Sequence, residues 1–329
     1  MKFLFKLLLS AGMLAAVTAC ATQISPTTIP SPVLAGPSLH GVFEGITPCS
    51  ARARPLPQIP PDTDCEQMIW KIILYQDPET GTPTTYTLNS AYGVPQQGTN
   101  GLVGGGTPIT MEGSWAILTG TKLDRDAMVY QLNPDNPQTA VSFLKLNEDI
   151  LHVLTSDKTL LVGNGAWSYT LNRTDNRIPG PVTAQPDPAE GSTRPPLPPM
   201  PAGSSVLGVF EGRTPCHALV FEFTTMAPYS GCLKIKWRLT LYQDQTTGAP
   251  STYLYQGTRT LREGTWAILR GTDSDPEVVV NQLQLDDEQP PVSFLKVDDN
   301  HLFLLDRELN FLVGDALFSY TLSRMDHGN

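Results

Sequence analysis

Gly41-Val42-Phe43-Glu44-Gly45-Ile46-Thr47-Pro48-Cys49 is written out a second time, almost letter for letter, as Gly208-Val209-Phe210-Glu211-Gly212-Arg213-Thr214-Pro215-Cys216. The offset of 167 residues also holds for Cys65 and Cys232, for Trp70 and Trp237, and for Leu74-Tyr75-Gln76-Asp77 against Leu241-Tyr242-Gln243-Asp244. Further along it falls to 151, pairing Trp115 with Trp266, Phe143 with Phe294, Gly163 with Gly314 and Tyr169 with Tyr320. Self-similarity of this length marks one structural module used twice. The difference, 167 − 151 = 16 residues, falls around Tyr92 to Gly106, a stretch rich in Gly and Gln that reads as a loop present only in the first copy.

Within each copy the hydrophobic period is two. Trp70, Ile72 and Leu74 share one face, and Trp237, Leu239 and Leu241 repeat it against outward Arg238 and Thr240. Trp167-Ser168-Tyr169-Thr170-Leu171 and Phe318-Ser319-Tyr320-Thr321-Leu322 alternate in the same way, and Asp77, Pro78, Thr80 and Gly81 punctuate the runs. Strict alternation bounded by turn residues predicts half-buried strands, and no long helical pattern interrupts them. The expectation is an all-β chain of two tandem antiparallel barrels, closure removing the exposed strand edges of an open sheet; a sandwich fits the same pattern. We place the first barrel at 39–174 and the second at 206–325. A linker at 175–205, crowded with Pro195, Pro196, Pro198 and Pro199, reads as a semi-rigid polyproline spacer.

The N-terminus has another character. Lys2 and Lys6 flank an apolar run that passes through Leu9, Leu14 and Ala15 to Val17-Thr18-Ala19-Cys20. So short an apolar stretch, ending in small residues, is a signal peptide (1–19) and not a spanning helix. Its end resembles the lipobox of bacterial lipoproteins, which implies acylation of Cys20. Residues 20–38 then form a tether between the lipid and the first barrel. Removing the signal takes two lysines from a chain of formal charge −10, leaving −12. An acidic protein of this kind argues against nucleic acid as partner and leaves membrane attachment to acyl chains. Ala21, where a retention signal for the inner membrane would resemble Asp, points to the outer membrane, with the barrels facing the periplasm.

The order Gly-Val-Phe-Glu-Gly, Thr-Pro-Cys, a second cysteine opening an apolar strand, Gly-Ser-Trp-Ala-Ile-Leu, Phe-Leu-Lys and a closing Tyr-Thr-Leu resembles the N-terminal domain of the NlpE copper-homeostasis lipoproteins. It covers residues 41 to 173 and 208 to 324. The resemblance implies lipocalin-like barrels on an outer-membrane lipoprotein associated with copper tolerance, surface adhesion and the signalling of envelope stress to a sensor protein. One departure stands out. The family's two cysteines lie two residues apart, whereas fifteen residues separate Cys49 from Cys65 and Cys216 from Cys232.

With Cys20 assigned to lipid, these four cysteines form two pairs of equal spacing, and an oxidising envelope favours disulfides Cys49–Cys65 and Cys216–Cys232. If reduced, the same four residues are candidate Cu(I) ligands, since soft thiolates select that ion; Met68, His217 and Met226 could assist, but none is duplicated. No histidine is duplicated either: His40, His152, His217 and His301 align with Leu207, Phe303, Ser50 and Ile150, and His327 lies in the tail. A shared zinc or nucleophilic centre would need one. The duplicated acids Glu44/Glu211 and Glu112/Glu263 invite comparison with a glycosidase pair, but their setting suits rims and outward faces. The tryptophans read as core anchors. No catalytic residues are assigned, and the expected function is non-enzymatic envelope stress sensing or copper homeostasis. The alternative is a lipocalin-like carrier of a small apolar ligand.

Overall fold

The computed structural model describes residues 36–50, 53–176, 195–225, 228, 231–258, 260–271, 277–285 and 289–326. They form two closed antiparallel barrels, each of eight strands joined in sequence order. The first consists of β1 (Ser38–Pro48), β2 (Gln67–Gln76), β3 (Pro83–Gly93), β4 (Thr107–Thr119), β5 (Met128–Leu132), β6 (Val141–Asn147), β7 (Ile150–Val153) and β8 (Thr170–Arg173). The second repeats it with β9 (Ser204–Thr214), β10 (Ile235–Asp244), β11 (Pro250–Gln256), β12 (Leu261–Arg270), β13 (Val279–Leu283), β14 (Val292–Lys296), β15 (His301–Leu304) and β16 (Thr321–Arg324). β9 begins two residues before the expected start of the second barrel. β1 closes on β8 and β9 on β16, so neither sheet has a free edge.

The period-two pattern explains the core. Phe43, Trp70, Ile72, Leu74, Trp115 and Phe143 fill the first interior, and Phe210, Trp237, Leu239, Leu241, Trp266 and Phe294 fill the second. Each buried indole has its N–H satisfied identically in the two copies, as burial of a polar group requires. Trp70 donates to Thr47 Oγ1 and Trp237 to Thr214 Oγ1, both at 2.9 Å. Trp115 donates to the Tyr75 carbonyl and Trp266 to that of Tyr242, both at 2.6 Å. Gly45 and Gly212 are required where the barrel closes. A Cβ at either would fall 2.7 Å from the Leu171 side chain or the Thr321 carbonyl, on the strand that seals each sheet.

Two features add detail to the expected architecture. The segment from Tyr92 to Gly106 is largely the expected loop, residues 94–106 joining β3 to β4 with a Pro95–Leu102 bridge and a 3-10 turn at Val103–Gly105, above strands extended to the pair Tyr92–Thr107. The second copy's shorter hairpin pairs Thr252 with Thr265 through to Gln256 with Leu261. The second copy also contains a helix, α1 (Ala218–Thr224), which strand periodicity did not signal. His217 is its N-cap, accepting a hydrogen bond from the Leu219 amide.

Candidate functional site

The four cysteines stand at one end of each barrel. Cys49 follows β1, Cys65 precedes β2, and the two are disulfide-bonded with their Cα atoms 5.2 Å apart; Cys216 and Cys232 are bonded likewise at 6.0 Å. The Cys49 amide also donates to the Glu66 carbonyl at 3.0 Å, so the disulfide lies at the neck of the loop that joins β1 to β2. In the first barrel that loop delivers Leu56 and Ile59, both buried, to the core. Arg54 clamps it, donating to the Pro61 and Thr63 carbonyls at 2.9 and 2.7 Å. In the second barrel α1 does the same job with Phe223, stacked on Trp237 at 5.1 Å between ring centres and edge-on to Tyr255 at 5.0 Å. Arg262 secures it from outside through the Phe223 carbonyl, and Arg307 pairs with Glu222. The described residues between the cysteines therefore place a stapled plug at one end of each barrel.

This disulfide state does not fit a copper chelate. A soft ion wants thiolates, and all four sulfurs are spent on one another. His217 is occupied as a helix cap, Met226 lies outside the described residues, and among those described no cluster of three metal-ligating side chains occurs. Cys20, the signal segment and His327 also lie outside them.

The duplicated acids are not brought together. Glu44 and Glu211 face outward and pair across the register with Lys71 at 3.3 Å and with Arg238 respectively. Glu112 and Glu263 are exposed on β4 and β12, and β4 is separated from β1 by two strands.

The two barrels pack through corresponding surfaces, which no repeated motif foretells. Ser168 meets its own counterpart Ser319, Oγ to Oγ, at 2.7 Å, and Thr170 meets its counterpart Thr321 at 2.9 Å. Leu146 and its counterpart Val297 each pack against both apolar clusters beside this seam. Contact between equivalent residues is the signature of a two-fold interface, realised here within one chain. Asn172 breaks the symmetry by accepting from the Gly314 amide at 2.8 Å and donating to the Asp315 carbonyl at 2.9 Å.

Two fully buried histidines meet at the same seam. The rings of His152 and His301 are 4.8 Å apart, and both Nε2 atoms share the Leu161 carbonyl, at 2.9 and 3.1 Å. His152 Nδ1 faces Thr170 Oγ1 at 3.0 Å, while His301 Nδ1 faces Asp298 Oδ1 at 2.8 Å. Burial, and secondarily the neighbouring His301, hold His152 neutral by pushing its pKa down to about 3. Burial alone would raise Asp298, but hydrogen bonding and charge from His301 bring it below the usual carboxylate range.

Residues 223–315 match the NlpE N-terminal domain family. No curated protein and no solved structure matches the chain. The match lies wholly in the second barrel, and the internal repeat carries the same strand order and the same stapled plug into the first. The chain is accordingly a tandem of two repeated barrels, the second of which carries a segment similar to the NlpE N-terminal domain.

Proposed function

We propose that the protein is a non-enzymatic outer-membrane lipoprotein, anchored through acylated Cys20 with its barrels in the periplasm, that serves envelope stress sensing and copper homeostasis. The observation that carries this reading is the NlpE-type domain, folded twice, behind a lipobox-like sequence. The disulfides support it as well, because they suit an oxidising compartment. Copper enters as a stress to which the protein responds through contact with an envelope sensor protein. Capture of the ion by Cys49 and Cys65, or by Cys216 and Cys232, would require the thiols that reduction sets free.

Membrane fractionation of cells producing the wild type and Cys20→Ser tests the anchor. The wild type should sediment with the outer membrane and the variant should be soluble; a wild type found soluble, or in the inner membrane, would contradict the placement. Copper titration of oxidised and reduced protein tests direct capture. Only the reduced form should bind with micromolar strength or better, and if neither does, copper capture by these sulfurs is rejected.

A further inference from the structure

The barrels differ at the end opposite the disulfides. In the first, His40 closes the mouth: its ring lies 4.9 Å from that of Trp115, and its nitrogens are 2.8 Å from Gln76 Oε1 and 3.1 Å from Tyr130 OH. Tyr130 is buried, its ring 4.9 Å from Trp115, with Lys145 Nζ over its face at 5.8 Å. The second barrel keeps Gln243, Trp266 and Lys296 at the corresponding positions but has Leu207 for His40 and Asn281 for Tyr130. The result is a cavity of about 140 Å³ lined by Phe210, Gln243, Trp266, Asn281 and Lys296 among others. Lys296, freed from a ring beneath it, has a side chain 35% exposed against 12% for Lys145.

An apolar cavity of roughly 150 Å³ is known to accept one benzene ring, so the space is the size of a single aromatic group. Indole and phenyl walls suit a ring, two side-chain amides suit a hydroxyl, and the lysine can lie over the ring face. The cations bring no uncompensated charge: Lys296 pairs with Asp299 at 2.7 Å and Arg324 with Asp326 at 2.9 Å. A neutral ligand is therefore favoured over an anion. We propose that the mouth of the second barrel binds a small, neutral, single-ring phenol, which takes the place that the Tyr130 side chain holds in the first barrel. This inference does not depend on the envelope role above.

The probe is p-cresol, the tyrosine side chain as a free molecule, titrated calorimetrically into the full chain. One site per chain is expected, with Kd on the order of 1 mM for so small a ligand. Asn281→Tyr, which restores the first barrel's residue, should abolish binding, and Lys296→Ala should weaken it about two- to five-fold. Unchanged binding to Asn281→Tyr, or no saturable binding to the wild type, would overturn the proposal. If Asn281→Tyr folds poorly, the wild type still decides: on addition of p-cresol the indole N–H resonance of Trp266 should shift while that of Trp115 stays. Movement of Trp115 alone, of both equally or of neither would reject the site.

Discussion

His152 shows what a single residue contributes at the seam. Because its folded pKa lies below the ordinary histidine value of about 6.5, the unfolded chain takes up a proton that the folded chain refuses. The stability this burial contributes is complete above about pH 6.5 and is lost as the pH falls through that value toward about 3, at up to roughly 1.4 kcal/mol per unit. Asp298, whose pKa is also lowered, adds its own loss only in the carboxylate range, below the interval in which the loss from His152 begins. His152→Phe, which installs the residue found at the equivalent Phe303, should flatten urea stability between pH 7 and pH 4.5. A variant as acid-sensitive as the wild type would refute this assignment. The seam histidines were illegible in the sequence for a physical reason. Duplication exposes positions that each module needs alone, whereas His152 and His301 occupy inequivalent positions, aligned with Phe303 and Ile150, and meet only because the modules dock.

At the scale of elements, each stapled plug should be a separable source of stability. Cys49→Ala with Cys65→Ala, or Cys216→Ala with Cys232→Ala, removes a cross-link around a loop of about fifteen residues and should cost about 3 kcal/mol in the chain-entropy picture. Chemical denaturation followed by tryptophan fluorescence measures the loss, and an unchanged midpoint would show that the staples do not stabilise the barrels. Phe223→Ala leaves a void against Trp237 and Tyr255 and should destabilise the second barrel by roughly 3–5 kcal/mol. A shift well under 1 kcal/mol in that barrel's transition would mean that α1 does not plug it. The strands themselves were readable, because alternation and closure act through local sequence: Trp70, Ile72 and Leu74 point inward as their spacing demands. The helix was not, since the seven residues of α1 are too few to show a 3.6-residue period and owe their shape to a cap and a buried phenylalanine. The β3–β4 loop was readable from its Gly-rich composition, whereas the extension of the strands beneath it, to Tyr92 paired with Thr107, was not.

For the whole molecule, one barrel sequence used twice has produced two closed sheets that meet through their own equivalent residues. A Pro-rich linker alone would suggest independent modules, but the matched hydroxyl pairs and the shared Leu146 and Val297 contacts make a joint. Asn172 is committed to it as well, bonding to both Gly314 and Asp315. Asn172→Ala should weaken the joint by about 1–3 kcal/mol through loss of its hydrogen bonds to the Gly314 amide and the Asp315 carbonyl. Faster hydrogen exchange around Gly314 would report it, and unchanged exchange would argue against that role. The joint is tested most directly by Ser168→Cys with Ser319→Cys, the two hydroxyls being 2.7 Å apart. Peptide mapping under non-reducing conditions should recover an intrachain 168–319 cross-link alongside both native disulfides, with the barrels still folded. Two free, readily alkylated thiols at 168 and 319 in a folded chain would contradict the docked tandem.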